Sequence, residues 1–413
     1  LKAEYSESTG RPGAQSNAIP LTSRTEPNVN LSGSNLPPEV AGKKTLGVHW
    51  TGFIIASETG DYLVGLRGVG FGRLLIDEKQ VAMLLAHDGV DSATGRVHLI
   101  KGQRAALSLN YGSTTGAPQL QLIWTKANDA PSAEAIAAAK SADIVIAVVG
   151  ITSKLEGEEM PVTLPGFQGG DRTSIDLPEP EETLVEAISG TGKPLVVVLT
   201  NGSALAINWI NQHANAILEA WYPGEEGGAA VAETLSGKNN PAGRLPVTFY
   251  KDINQLPNFE DYGMANRTYR YFEGKSLFPF GYGLSYTTFR YSDLNIPTQP
   301  VAAGQTVGAD VTVTNTGKAA GVEVVQVYLK FPDVKGAPQI ALRGFQRVHL
   351  EPGASQKVHF QLKDRDLGIV TEDGNPIIAQ GDYTISIGGG QPETGAPVVT
   401  GKFHIEGQID LPQ

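Results

Sequence analysis

The spacing of apolar positions changes character twice along the chain. Residues 47–53, 60–66, 73–77, 104–111 and 120–124 alternate apolar with polar side chains and are bounded by glycines. Short segments of period two with frequent turn residues predict a β-sandwich or barrel. From 142 to 222 the pattern becomes continuous apolar runs at 143–149, 194–200 and 217–222, separated by helix-favouring stretches at 132–140, 180–188 and 228–235. Ser132 suits a helix cap, and Pro180 with Glu181 and Glu182 suits a helix N-terminus. Strand and helix in alternation predict a mostly parallel sheet covered on both faces. Alternation returns at 310–315, 323–329, 357–362 and 382–387, which predicts a closing antiparallel sandwich. The first forty positions, rich in Pro, Ser and Asn, are expected to cross the surface with little regular structure. The expected fold class is thus multidomain α/β plus β: a β-sandwich at 1–127, an α/β sandwich at 128–283 and a second β-sandwich at 284–413.

Composition narrows the partners. The 413 residues are enough for two to four domains, and the 49 glycines and 26 prolines agree with a turn-rich, largely β chain. A net charge of −11 disfavours nucleic acid and anionic membranes and is compatible with a neutral ligand such as a sugar, without selecting one. With no cysteine, disulfides, thiolate metal sites and cysteine nucleophiles are excluded, and an extracytoplasmic location stays open. His49, His87 and His98 are too scattered for a metal site and are expected to be structural; no metal or cofactor is expected. There is no apolar run of membrane-spanning length and no basic-plus-apolar leader. The chain opens at Leu1 in sequence that already reads as a domain, as if a leader had been removed or the chain were part of something longer.

The candidate chemistry lies in the stretch that follows the first apolar run, from Glu156-Gly157-Glu158-Glu159-Met160 to Leu177-Pro178. Such a loop leaves the carboxyl end of a strand, where open α/β sheets place ligands. Clustered carboxylates there can keep one member protonated near neutral pH, as a general acid requires. A solvated acidic surface loop is the plainer reading of the same residues. Gly150-Ile151-Thr152-Ser153 is not a dinucleotide fingerprint, and no Gly-x-Ser-x-Gly nucleophile elbow follows any strand.

Glu-Gly-Glu-Glu at 156–159, the blocks 170–178, 221–228 and 240–249, and 269–272 with 278–286 together resemble the C-terminal α/β-sandwich domain of glycoside hydrolase family three. Leu1-Lys2-Ala3-Glu4-Tyr5, Trp50-Thr51-Gly52, Gly60-Asp61-Tyr62 and a strand ending at Asp77 resemble an inserted protective-antigen-type β-sandwich. Leu75-Ile76-Asp77-Glu78 lacks the paired aspartates that hold calcium in some such domains. The closing stretch resembles a fibronectin type III-like domain. The combination is similar to bacterial β-glucosidases and β-xylosidases.

This resemblance implies a retaining exo-β-glycosidase acting on terminal β-D-glucosyl or β-D-xylosyl residues, with two carboxyl groups about 5 Å apart across the scissile bond. Its nucleophilic aspartate would lie on an N-terminal (β/α)8 barrel and its acid/base would be Glu158, with Glu156 and Glu159 as fallbacks. Met160 and Phe167 would offer an apolar face to a sugar ring. Asp171 and Arg172 would be a buried or half-buried pair fixing the loop, and Trp221, Tyr269 and Arg270 would be packing residues. The expected partner is a chain bearing the barrel, this chain being the C-terminal product of a cleaved or split enzyme with one sheet edge left open. Homo-oligomerisation stays open, and the implied location is periplasmic or secreted. The competing function is a non-catalytic carbohydrate-binding or surface protein with a degenerate hydrolase domain.

Overall fold

The computed structural model describes residues 1–8, 18–114, 117–127, 130–160 and 162–412. They group into two compact units, Leu1–Ser132 with Ser153–Thr173, and Ala133–Thr152 with Ser174–Gln413. No helix among the described residues is long and apolar enough to cross a membrane.

In the first unit, β1 (Lys2–Ser8), β2 (Ala18–Thr25), β3 (Asn30–Leu31), β4 (Leu46–Ile55), β5 (Gly60–Ile76), β6 (Lys79–Leu99), β7 (Arg104–Ser113) and β8 (Gln119–Lys126) form one eight-stranded sheet. Its order is β2-β1-β4-β7-β5-β8-β3, with β6 paired to β5, and every pairing is antiparallel. The segments expected separately at 60–66 and 73–77 are one 17-residue strand, and the 21-residue β6 was not expected at all. Glycines explain the first. A Cβ at Gly65 would lie 2.2 Å from the Ala93 carbonyl oxygen, and one at Gly68 would lie 2.1 Å from that of Gln119. Glycine thus lets β5 close against a neighbour on each side while erasing the alternation that marks a strand.

The expectation that the first forty positions lack regular structure is corrected by β1, β2 and β3. Ala3 and Tyr5 point inward, and Glu26 lies beneath them, accepting from Tyr5 Oη and from Trp50 Nε1 at 2.7 Å. Burial alone would raise the Glu26 carboxyl, but hydrogen bonds from Trp50, Tyr5 and Arg24 hold it below its usual value. His49 bonds to Ser108 at 3.1 Å and His98 to Asp61 at 2.8 Å. The His87 side chain lies outside the described residues.

The second unit begins with α1 (Ala133–Ser141) and β9 (Val145–Gly150), and continues after residue 173 with α2 (Glu179–Ser189). The Leu195–Thr200 strand, α3 (Asn208–His213), the Ala216–Glu219 strand and α4 (Gly227–Leu235) follow. The Leu195–Thr200 strand is central and pairs in parallel with β9 on one side and with Ala216–Glu219 on the other. Residues from α1, α2 and α3 (Ala139, Val185, Ile188, Ile210) pack with Ala147, Val149, Val197 and Leu199 on one face of this sheet. The other row of β9 is bare: Ile146 is 51% exposed and Val148 62%. The expected covering of both faces is therefore absent at this edge strand among the described residues.

The remaining strands build two larger sheets around a single core, with a small third sheet of Ile369–Val370, Pro376–Ile378 and Ile409–Asp410 against it. One joins Phe289–Asn295, Val307–Asn315 and Ser355–Leu362; the other joins Val301–Ala302, Val398–Glu406, Gly381–Gly388, Gly321–Lys330 and Ala341–Leu350. Inward rows such as Val307, Ala309, Val311 and Val313 meet Val325, Val327 and Leu329 in that core. A buried polar joint ties this part to the α/β part. Arg244 Nη2 reaches Glu323 Oε2 at 3.1 Å, and Tyr291 Oη donates to Glu323 Oε1 at 2.9 Å. Gln326 Nε2 donates to the Gly281 carbonyl at 3.0 Å and Gln391 Nε2 to that of Phe280 at 2.8 Å. Tyr269 stacks on Phe280 and meets Tyr328 edge-on, so it packs as the sequence reading expected.

Burial lifts the Glu323 carboxyl above its usual value against the pull of Arg244 and Tyr291. Removing the guanidinium leaves this acid buried and unpaired. Arg244→Ala is expected to cost about 3–5 kcal/mol in chemical denaturation of the second unit, while Arg244→Ala combined with Glu323→Gln recovers part of that loss.

Candidate active site

The exit from β9 admits only glycine. Gly150 has φ 146°, and a Cβ there would lie 1.9 Å from the Thr200 carbonyl oxygen. The Gly150 N–H donates to Glu181 Oε2 of α2 at 2.6 Å, and the next N–H, of Ile151, donates to the Thr200 carbonyl at 2.8 Å. The chain then enters residues 153–173, which hold every site residue named from the sequence.

Within this segment Thr163–Leu164, Phe167–Gln168 and Asp171–Arg172 form a small antiparallel meander. The acidic turn is tied back to it twice: the Gly157 N–H donates to the Gly170 carbonyl at 3.2 Å and the Met160 N–H to that of Gly169 at 2.7 Å. Gly170 has φ 91°, and a Cβ on it would lie 1.9 Å from the Gly157 oxygen, so no other residue permits this approach. Between the two ties stand Glu158 and Glu159, both exposed, the latter with a left-handed backbone at φ 50°. Glu156, just before them, is half-buried. An exposed ion pair from Lys154 to Asp91 of β6 at 2.6 Å marks the start of the segment. Hydrogen bonds from Lys154 and the Ser92 N–H hold the Asp91 carboxyl below its usual range.

Phe167 and Met160 do not present the open apolar face expected of them. Phe167 is 6% exposed, with the Arg172 guanidinium 5.9 Å from its ring centroid. Met160 is half-buried, and its Sδ occupies the space beside Gly157, 2.6 Å from where a Cβ would stand. Both side chains are packing for the loop. Asp171 is exposed and Arg172 half-buried, so the expected burial holds at most for the arginine. Trp221 meets Phe249 edge-on at 6.0 Å, as a packing residue should.

Glu219 has no role legible in the sequence. This carboxylate ends the third parallel strand, where Oε1 accepts the Trp221 N–H at 3.0 Å and Oε2 accepts Asn201 Nδ2 at 3.3 Å. Burial pushes it up to about 7, against the pull of those two hydrogen bonds. Asn201 is fully buried at the exit of the central strand, donates also to the Ser203 carbonyl at 3.0 Å, and leaves Oδ1 with no hydrogen-bond partner. Trp221, at φ 55°, carries the strain of the turn. Glu181 is likewise raised by burial. Two acids thus line the carboxyl edge of the parallel sheet. The available signal was one carboxylate interrupting the apolar run Ile217-Leu218-Glu219-Ala220-Trp221. Chemically, the first unit offers exposed carboxylates on a backbone held at two points, and the second offers an acid that can keep its proton near neutrality.

The chain matches the glycosyl hydrolase family 3 C-terminal domain over residues 15–286 and a fibronectin type III-like domain over residues 323–391. A xylan 1,4-beta-xylosidase of Xylanibacter ruminicola is 37% identical over 336 residues, which is 81% of this chain and 38% of that protein. A periplasmic beta-glucosidase of Salmonella typhimurium is 38% identical over 270 residues, 62% of this chain and 34% of that protein. A solved beta-glucosidase from Kluyveromyces marxianus in complex with glucose superposes with a TM-score of 0.63 at 26% identity, over 99% of this chain and 50% of that one. The chain therefore spans half or less of the length of these relatives.

Because Glu219 binds its proton more tightly when folded than at its ordinary value of 4.5, folding takes up a proton between pH 4.5 and about 7. Its contribution is complete at low pH and is lost as pH rises through 7. Stability is expected to fall by about 2 kcal/mol between pH 5.5 and 8 from this group, and Glu219→Gln to flatten that slope in denaturant titrations.

Proposed function

Because the chain belongs to glycosyl hydrolase family 3 through that family's C-terminal domain, we propose that it supplies the general acid/base of a retaining exo-β-glycosidase, and that this group is Glu158. The observation that carries the proposal is an exposed carboxylate centred on a turn tied at both ends, inside the region that matches the family. A proton donor must reach the glycosidic oxygen with little loss of orientation, and a loop whose closure requires glycine at 170 meets that need. In the first step the Glu158 acid protonates the departing oxygen while an aspartate attacks the anomeric carbon. In the second, the Glu158 carboxylate takes a proton from the water that hydrolyses the glycosyl-enzyme.

The nucleophile lies outside these 413 residues, on the (β/α)8 barrel that the resemblance implies. The bare row of β9, with Ile146 51% and Val148 62% exposed, and Ile144 just before the strand at 52%, supports a further polypeptide against this sheet, since parallel strands are ordinarily covered on both faces. The substrates are terminal β-D-glucosides or β-D-xylosides, the two activities in the names of the relatives. The periplasmic relative supports a periplasmic or secreted location.

Glu158→Gln, in a protein that also carries the barrel, tests the assignment with nitrophenyl β-glucoside and β-xyloside. The activated leaving group needs little protonation, so deglycosylation limits the variant; kcat is expected to fall about 10²–10⁴-fold and azide to restore part of it as glycosyl azide. Full activity without an azide effect would refute the role, and a larger loss in Glu156→Gln or Glu159→Gln would move it to that neighbour. Gly170→Ala, which forces Gly157 away, is expected to lower kcat about tenfold or more with a smaller change in KM.

A further inference from the structure

In the second unit the chain between the Asp252 turn and Tyr271 makes a loop built around one arginine. Arg267 Nε donates to the Gly263 carbonyl at 3.1 Å, and Nη2 donates to that of Asn258 at 3.0 Å and to that of Asp261. Asn258 Oδ1 accepts the Glu260 N–H at 3.1 Å, and Asp261 Oδ1 accepts the Gly263 N–H at 2.8 Å. At the base, Asn266 Nδ2 donates to the Gln255 carbonyl at 3.3 Å and the Thr268 N–H donates to Tyr250 Oη at 3.1 Å. A planar guanidinium shared among three carbonyls fixes the loop from within. Outside it stand Phe259, 91% exposed, and Tyr262, 92% exposed; the next most exposed large apolar side chain among those described is Leu284 at 70%. The loop is thus rigid where it is polar and open where it is aromatic. Leaving two rings in water is unfavourable unless something covers them.

The residues between the rings identify the chemistry. Glu260 and Asp261 separate Phe259 from Tyr262, and the cation within the 258–267 loop, Arg267, is turned onto carbonyls. An anionic ligand bridging the rings would face these two carboxylates. The core of a protein–protein interface is depleted in charged groups, so this tip is a poor centre for one. A neutral polyol with an apolar face fits both features: its ring C–H bonds lie on an aromatic ring and its hydroxyls donate to a carboxylate. We propose that the 258–267 loop is a carbohydrate-binding platform for β-linked glucan or xylan chains, with Phe259 and Tyr262 stacking on sugar rings and Glu260 accepting from their hydroxyls. The choice of glycan rests on the glycosidase reading above; binding itself requires no hydrolysis.

The test uses this chain as it stands, in native gels containing mixed-linkage β-glucan or xylan, with cellotetraose and xylotetraose titrated by calorimetry. Wild type is expected to be retarded by at least one polysaccharide, and the Phe259→Ala/Tyr262→Ala double variant to run as in a glycan-free gel. Each single variant should bind the tetrasaccharide about tenfold more weakly. Phe345→Ala removes another exposed aromatic, at 63%, and should change nothing. Arg267→Lys keeps both rings and the charge but loses the fork, so binding should fall with the thermal transition unmoved. Glu158→Gln should bind as wild type, which separates this proposal from the catalytic one. Failure of wild type to bind, equal binding by the double variant, or equal loss in Phe345→Ala would overturn the platform. Self-association that the double variant abolishes, without glycan binding, would overturn it in favour of a second copy of the chain.

Discussion

The second unit depends on an ion pair largely withdrawn from water. Arg244 and Glu323 come from parts of the chain separated by 79 positions, one in the α/β part and one in the fibronectin-like sandwich, and their side chains are 9% and 3% exposed. Taking both charges out of water costs more than their attraction alone returns, so the joint needs its other members. Tyr291 supplies a hydrogen bond to the acid, while Gln326 and Gln391 satisfy the carbonyls of Gly281 and Phe280. Two parts joined this way pack as one body, and the contacts of the structure divide the chain accordingly.

That joint changes the meaning of the most recognisable motifs. The blocks at 240–249 and 278–286 carry much of the family resemblance, yet their residues make this joint: Arg244 pairs with Glu323, Asn240 donates to the Ala320 carbonyl, and Gly281 lies under Gln326. A Cβ at Gly281 would come 2.4 Å from Gln326 Oε1. These motifs encode docking between layers. The segment proposed to carry the acid/base is shorter and rests on a different constraint, the contact of Gly170 with Gly157.

The acids of the molecule are sorted by surroundings. Glu158 stands in solvent on a loop tied by two backbone hydrogen bonds, whereas Glu219 sits under the exit of a parallel strand with its proton affinity raised to about 7. Glu158 comes after one strand of the parallel sheet and Glu219 ends another, and their exposure differs. An exposed acid can meet an incoming glycoside; the half-buried Glu219 is engaged by its own neighbours, the Trp221 and Asn201 turn.

Local pattern alone placed the α/β strands to within a few residues, because continuous apolar runs between helix-favouring stretches leave little choice. It also located the acidic loop, because a strand must end before it. It failed where glycine removed the alternation, as in β5, and where a strand was written in Ser, Pro and Thr, as in β2. What a residue does depended on burial, and burial is set by residues far away in the chain. Composition marks Phe167 as an aromatic and Phe259 as another; only the folded chain covers the first to 6% and leaves the second at 91%. The same holds for the bare row of β9 and for Glu219. A sequence records which side chains exist and how they alternate, while the packing of distant segments decides which of them meet water.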